Sequence, residues 1–180
     1  MLFIYKLYIM KIGICGKMCS GKSSLAKAIN AYYKKQNKQE LIVDSFANKI
    51  YEIAYDIFKM DKKDRKLLQD IGTKFREIDD MVWVNYIINK HTNDVIIDDA
   101  RYKNELEALK QNEYILIKLN ISKELQLKRL KDLYKDNFEL HYKNLNHISE
   151  LFIDVVPDDI FDFIVNVDTE EAFDKIKDIL

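Results

Sequence analysis

The chain has 180 residues, of which 48% are hydrophobic and 33% charged, the length and composition of one soluble globular domain. Its 29 basic and 30 acidic residues give a formal net charge of −1, which excludes a global attraction to nucleic acid or to an anionic membrane. Cys15 and Cys19 cannot complete a zinc site, and we expect reduced thiols in a cytoplasmic protein.

The first nine residues are largely apolar and read Met-Leu-Phe-Ile-Tyr-Lys-Leu-Tyr-Ile. This run is too short to span a bilayer, and it carries no small-residue cleavage site. We therefore expect a short extension that pairs with or prolongs the first strand, and no membrane partner.

The stretch Gly16–Ser23 fits the phosphate-binding loop pattern G-x-x-x-x-G-K-[ST]. An apolar run at 12–15 predicts a strand before it, and helical spacing of apolar residues predicts a helix at about 23–36. Glycines permit backbone angles at which successive N–H groups point at a polyphosphate, and the positive helix end adds to that field. We expect Lys22 to bind the β- and γ-phosphates of ATP, and Ser23 to bind Mg²⁺. The predicted ATP-binding residues are Gly16, Lys17, Cys19, Ser20, Gly21, Lys22, Ser23 and Ser24.

A short apolar run at 41–44 predicts a second strand, which we expect to be buried. Three helices separate it from the third predicted strand, 95–99. Helical spacing places them at about 46–58, 62–75 and 79–90. A simple strand–helix–strand unit needs only one helix, so we expect residues about 45–92 to form an insertion. Insertions at this point of such folds commonly contain the residues that recognise the substrate. Within it Arg76 could bind an acceptor phosphate. Trp83 could stack on a base or fill the core, and we favour the core.

The third predicted strand ends in Asp98 and Asp99, where nucleotide-binding folds of this type keep the acid of the Mg²⁺ shell. Adjacent strand residues point to opposite faces, so we expect only one of the two to serve. Arg101 follows at the same sheet edge, where its guanidinium could bind a phosphate anion or pair with Glu105. Arginine is rare in this chain, four residues against 25 lysines, which favours roles that need its planar fork.

Apolar runs predict two more strands, at 114–119 and 161–167, with a helix around 106–109 and another at 122–134. Arg129 on the latter helix could close over a transferring phosphoryl group, or belong to a solvated charged face. Residues 135–157 show no clear period, and about 128–150 could form a lid. Asp168 with Glu171 predicts the capped start of a final helix that ends near Leu180.

The alternation of strands and helices predicts an α/β fold over residues 1–180. We expect a P-loop three-layer sandwich whose five-stranded, mostly parallel sheet has helices on both faces and a helical substrate-binding insertion. Ligands then bind at the carboxyl ends of the strands.

Several segments resemble the bacteriophage-type deoxynucleoside monophosphate kinases, within the wider nucleoside monophosphate kinase group. Residues 99–105 look like that family's Asp-Val-Arg-Phe-Pro-Asn-Glu motif, with Lys103 in place of the proline, and 135–145 carry lysines where the group usually has lid arginines. Besides the loop, the matching segments are Asp44-Ser45-Phe46-Ala47-Asn48-Lys49, Leu67-Leu68-Gln69-Asp70-Ile71-Gly72 with Trp83, Asp99-Ala100-Arg101-Tyr102-Lys103-Asn104-Glu105, and His147-Ile148-Ser149-Glu150.

The resemblance implies ATP–Mg²⁺ as donor and a deoxynucleoside 5′-monophosphate as acceptor. It places Lys22 on the donor phosphates, Ser23 and Asp99 on the metal side, with Asp98 the other candidate ligand, and Arg101 near the acceptor phosphate. Catalysis falls to Lys22, Arg101 and Arg129. The acceptor-binding candidates are Asp44, Phe46, Lys49, Gln69, Arg76, Trp83, Asp99, Arg101 and Glu150. Many relatives are dimers, so a homodimer is possible, and the expected partners are small-molecule nucleotides.

Two other functions stay open at this point. A kinase of a hydroxyl acceptor such as dephospho-coenzyme A has a similar scaffold but needs a general base, for which Asp44 is a candidate. A phosphate acceptor needs none, because its second pKa is about 6. The third reading is a binding module or switch that hydrolyses nucleotide slowly.

Overall fold

The computed structural model describes residues 9–146, 148–167 and 173–177. Five strands form one sheet: β1 Lys11–Gly16, β2 Ile42–Asp44, β3 Val95–Ala100, β4 Ile115–Asn120 and β5 Phe163–Asn166. Their order is β2-β3-β1-β4-β5, and every neighbouring pair is parallel. The carboxyl ends of the strands therefore meet at one edge of the sheet, where this class of fold binds ligands.

Eight α-helices are described around this sheet. They are α1 Lys22–Lys35, α2 Phe46–Asp56, α3 Arg65–Ile78, α4 Val82–Lys90, α5 Lys103–Gln111, α6 Lys123–Tyr134, α7 Phe138–Lys143 and α8 Ile148–Val155. Side chains of Ser45, Asp64 and Ser122 accept hydrogen bonds from the first turns of α2, α3 and α6, which fixes where these helices begin. None of the described helices is both long and apolar enough to cross a membrane.

Apolar residues pack on both faces of the sheet. On one face Ile12, Ile14 and Ile96 pack against Leu25 and Ile29 of α1. On the other face a cluster joins the sheet to the inserted helices, α5 and α8; its members include Cys15, Ile97, Phe46, Ile71, Ile87, Leu106 and Ile153. These two apolar layers confirm the predicted three-layer α/β sandwich, and the described strands are parallel throughout.

The structure differs from the sequence-based expectations in two places. Strand β2 was expected to be buried, but Ile42 is 56% exposed and Val43 44% exposed, because β2 lies at the edge of the described sheet, next to β3. Residues 135–157 show no clear period in the sequence, but most of them are helical: a 3₁₀ turn at 135–137, α7, a second 3₁₀ turn at 144–146, and α8. These pieces are too short to show a helical period in the sequence.

Some expectations fall on residues that the structure does not describe. They are the extension at 1–8, His147, and the Asp168 and Glu171 cap with most of the final helix. Ile176 is described, and it is buried against the α1 layer.

Candidate nucleotide-binding site

The predicted phosphate-binding loop lies between β1 and the first turn of α1. Gly21 has a φ of 98°, a backbone angle that strains any residue with a Cβ. A Cβ on Gly16 would lie 2.6 Å from Ser20 Oγ and 3.0 Å from the Leu119 carbonyl, so the chain can turn here only with glycine. The eight predicted ATP-binding residues thus occupy one compact turn, with the exposed Ser24 in the first turn of α1.

Lys22 folds back over its own loop. Its Nζ donates hydrogen bonds to the carbonyls of Gly16 at 2.8 Å and Lys17 at 2.9 Å. Burial, with a smaller contribution from the Arg101 cation, lowers the pKa of Lys22 to about 8. The ammonium group is thus held at the loop, where the negative charge of a bound phosphate would raise the pKa of Lys22 again.

The two acids at the end of β3 point to opposite sides, as the alternation of strand residues predicts. Asp98 accepts a hydrogen bond from the Ser23 hydroxyl at 2.7 Å. Asp99 accepts hydrogen bonds from the backbone N–H groups of Phe46 at 2.8 Å and Ala47 at 3.0 Å, at the start of α2. Burial raises the pKa of Asp99 to about 6 despite these two bonds. Asp98, and not the Asp99 that the resemblance implied, is therefore the carboxylate beside Ser23, and this pair supplies the hard oxygen donors that Mg²⁺ prefers.

A groove of about 680 Å³ opens beside the loop and beneath the inserted helices. Four cationic and four aromatic side chains line it: Lys63, Arg65, Arg76 and Arg101, with Phe46, Tyr51, Tyr102 and Tyr134. Six of the predicted acceptor residues are among its lining residues: Phe46, Gln69, Arg76, Asp99, Arg101 and Glu150. Its volume and mixture of apolar and charged walls suit a small phosphorylated molecule.

Arg101 and the buried Glu150 join the groove to the loop. Glu150 accepts one hydrogen bond from Arg101 Nη1 and another from the backbone N–H of Met18, each at 2.6 Å. Glu105 accepts the backbone N–H groups of Arg101 and Tyr102 at the start of α5, and its other oxygen lies 3.6 Å from Arg76 Nη2. Burial raises the pKa of Glu105 to about 7.

Helix α6 supports the loop from its other side. Arg129 Nη1 donates to the carbonyls of Cys19 at 3.1 Å and Ser20 at 3.3 Å, so Arg129 contacts the loop. Gln126, one turn earlier, donates from Nε2 to the Met18 carbonyl at 2.9 Å. Sequence reasoning missed Gln126; the signal was its spacing of three from Arg129, which places both on one helix face.

Three predicted acceptor residues lie outside the groove. Trp83 is 2% exposed and donates from Nε1 to the Gly72 carbonyl at 3.1 Å, so it fills the core, as we favoured, and cannot stack on a base. Lys49 pairs with Glu52 on the outer face of α2. Asp44 lines a separate surface cavity beside β2, together with Lys90 and His91.

The surroundings of Asp44 also argue against its role as a general base. It accepts hydrogen bonds from Lys90 Nζ at 2.8 Å and from His91 Nε2 at 2.6 Å. Burial alone would raise the pKa of Asp44, but the bonds from Lys90, His91 and Asn48 outweigh it and lower the pKa to about 2. Such a carboxylate takes up a proton poorly at neutral pH.

The parallel sheet, the glycine loop between its central strand and α1, and the Ser23–Asp98 pair define a P-loop nucleotide-binding α/β domain. A family model agrees with this class. The model described as AAA domain (AAA_18) matches residues 12–144, and the chain belongs to this family.

Comparison with solved structures supports the same fold. An uncharacterized protein from Eubacterium ventriosum ATCC 27560 is 16% identical, with 94% of each chain covered and a TM-score of 0.55. APE1195 is 14% identical over 94% of this chain and 92% of its own, with a TM-score of 0.56. A gluconokinase from Sinorhizobium meliloti 1021 is 11% identical over 93% and 89%, with a TM-score of 0.49. The likeness to the first two concerns the fold alone, and the third, with a TM-score below 0.5, is too distant to support even that. A comparison of the sequence with curated proteins finds no match.

Proposed function

We propose that the protein transfers the γ-phosphoryl group of ATP to the phosphate of a deoxynucleoside 5′-monophosphate, which yields ADP and the deoxynucleoside diphosphate. The observation that carries this proposal is the contact of Arg101 and the loop through Glu150. It brings a phosphate-binding guanidinium of the acceptor groove next to the loop that binds the donor.

The chain's own residues suffice to bind and orient both substrates. The loop N–H groups and Lys22 hold the donor phosphates, while Ser23 and Asp98 would hold Mg²⁺, which neutralises phosphate charge when bound. Arg101 binds the acceptor phosphate and aims one of its oxygens at the γ-phosphorus. Arg129 keeps the loop in shape and adds positive charge beside it. In the transfer, the acceptor oxygen forms a bond to the γ-phosphorus as the bond to the ADP oxygen breaks.

A phosphate acceptor fits the site better than a hydroxyl does. A phosphate is already ionised near neutral pH and needs no general base. Asp44, the base expected for a hydroxyl acceptor, lies outside the groove. Its pKa of about 2 keeps the carboxylate ionised at all higher pH values. Four aromatic side chains in the groove could pack on a base, which supports a nucleotide as acceptor. The preference for a deoxynucleoside rests on the resemblance of residues 44–49, 67–72 and 99–105 alone.

The proposal is tested by measuring ADP release with ATP–Mg²⁺ and each deoxynucleoside and ribonucleoside monophosphate, and dephospho-coenzyme A, in turn. We expect turnover with one or more deoxynucleoside monophosphates, and its loss in Lys22→Ala, which removes the cation on the donor phosphates. Activity on dephospho-coenzyme A alone would contradict the phosphate acceptor. ADP release that no added acceptor increases would indicate a nucleotide switch.

A further inference from the structure

Helix α8 contacts the phosphate-binding loop through two acidic side chains one turn apart. Glu150 accepts a hydrogen bond from the backbone N–H of Met18 at 2.6 Å, and Asp154 pairs with Lys17 Nζ at 2.8 Å. A backbone N–H of such a loop is a donor that a phosphate oxygen would also use. The loop of this protein therefore already holds an anion, and the chain itself supplies it.

Glu150 also satisfies the second group that a phosphate would bind. Its other carboxylate oxygen accepts from Arg101 Nη1 at 2.6 Å, and the residue is only 4% exposed. A carboxylate that bridges a loop N–H and an arginine is negatively charged, as a phosphate is, and it accepts hydrogen bonds from the same kinds of donor as a phosphate oxygen does. Met18 belongs to the loop that we assign to ATP, and Arg101 lines the groove that we assign to the acceptor, so Glu150 lies where the phosphates of the two substrates would meet.

We infer that the Glu150 carboxylate occupies the place of a substrate phosphate oxygen in the empty protein, and that a bound nucleotide displaces it. This inference rests on the proposed function, because it takes the loop to bind a polyphosphate. It adds a regulation of that site: Glu150 competes with the incoming phosphate for Met18 and Arg101. A phosphate oxygen can replace Glu150 there and keep both donors paired with an anion.

The loop keeps its shape when Glu150 leaves, because other residues hold its carbonyl groups. Gln126 holds the Met18 carbonyl, Arg129 holds those of Cys19 and Ser20, and Lys22 holds that of Gly16. The Met18 N–H lies in the same peptide group as the Lys17 carbonyl, which accepts a hydrogen bond from Lys22 Nζ at 2.9 Å, so this N–H keeps its direction. Displacement of Glu150 consequently exposes a preformed anion site.

Calorimetric titration with a non-hydrolysable ATP analogue, the β,γ-imido triphosphate with Mg²⁺, tests the inference. We expect Glu150→Gln to bind this analogue more tightly than the wild type does, on the order of tenfold, because a negative charge facing the phosphates is removed. Glu113→Gln is the matched control, because it removes the same charge from an exposed residue. Glu113 precedes β4, at the sheet edge opposite the loop, so we expect affinity within about twofold of the wild type.

Equal or weaker binding by a folded Glu150→Gln protein would overturn the inference, since it would make Glu150 a residue that positions Arg101 and the loop. If that variant does not fold, hydrogen exchange of the wild type decides: exchange across Ile148–Val155 should rise when the analogue binds, and unchanged or slower exchange would overturn the inference. A wild type that does not bind the analogue at all would instead overturn the proposed function, and the inference with it.

Discussion

The Asp98 carboxylate accepts a hydrogen bond from the Ser23 hydroxyl at 2.7 Å, which joins the end of β3 to the first turn of α1. Asp98 lies on β3, and Ser23 follows β1 through the phosphate-binding loop. These two strands are hydrogen-bonded neighbours at the centre of the sheet. The register of β1 against β3 shifts between Gly13 and Cys15, opposite Asp98 and Asp99. The adjacent residue Asp99 points the other way and accepts a hydrogen bond from the backbone N–H of Phe46 at the start of α2.

The first prediction concerns which acid serves the metal. Asp98→Asn should raise the Mg²⁺ concentration for half-maximal ADP release by about ten- to a hundredfold, because a carboxylate next to Ser23 is lost. Asp99→Asn is the matched control, and it should leave the Mg²⁺ requirement within about twofold even if turnover falls. Magnesium titrations of the two variants check this. A larger shift in Asp99→Asn would show that the assignment is reversed.

The second prediction is a pH dependence of nucleotide binding. Burial lowers the pKa of Lys22 to about 8 in the empty protein, so this lysine loses its proton above pH 8 instead of above 10.5. A bound phosphate interacts favourably with the charged form of Lys22. At high pH the lysine must therefore take up a proton when the nucleotide binds, which weakens the observed affinity. Affinity for the imido analogue of ATP should be constant below pH 7 and fall by up to about tenfold per pH unit above 8.

Calorimetry between pH 6.5 and 9.5 measures this dependence. Lys22→Arg is the control, since arginine stays charged throughout the range, and its affinity should not fall above pH 8. A wild-type affinity that stays constant to pH 9.5 would contradict the lowered pKa.

Several residues of this site can be predicted from the local sequence, because a phosphate-binding loop allows few residue types at its key positions. Gly16, Gly21, Lys22 and Ser23 are predictable since the loop allows few alternatives at those positions. The choice between Asp98 and Asp99 is not, because it depends on the register of β3 against β1. Gln126 is missed for a related reason: its spacing from Arg129 indicates only a shared helix face, and its partner, the Met18 carbonyl, lies 108 residues away in the chain.

The fold shows the same division between local and long-range causes. Apolar runs and helical spacing place the strands and the longer helices, since each element carries its own period. The edge position of β2 depends on strand order, which no single segment contains, and so Ile42 and Val43 were expected to be buried. Helix α8 is eight residues long, and it is held by distant contacts from Glu150 and Ile153.

The third prediction tests the support that α6 gives to the loop. Gln126→Ala should weaken binding of the imido analogue by roughly tenfold, because it leaves the partly buried Met18 carbonyl without its donor. Gln111→Ala, at the exposed end of α5, is the matched control and should bind as the wild type does. Equal affinity in both variants would show that the loop holds its shape without Gln126.

The fourth prediction separates stability from catalysis at Asp44. Asp44→Asn should lower the free energy of unfolding by about 1 to 3 kcal/mol at pH 7, since it disrupts the buried bonds to Lys90 and His91. Because the folded state lowers the pKa of Asp44 to about 2, this advantage of the wild type is present above pH 4 and lost as the pH falls toward 2. Urea denaturation at several pH values measures it.

The same variant addresses the acceptor. Asp44 lies outside the groove, so kcat of Asp44→Asn should stay within about threefold of the wild type. A loss of kcat by about a hundredfold or more in a folded variant would favour a hydroxyl acceptor, which needs a base.

The most direct test of the central claim follows the phosphoryl group itself. ATP with radioactive phosphorus in its γ-phosphate is incubated with the protein, Mg²⁺ and a mixture of the four deoxynucleoside monophosphates, and the products are separated by chromatography. The proposed function predicts label in a deoxynucleoside diphosphate for the wild type and none for Lys22→Ala. Label found only in inorganic phosphate would contradict transfer to a nucleotide.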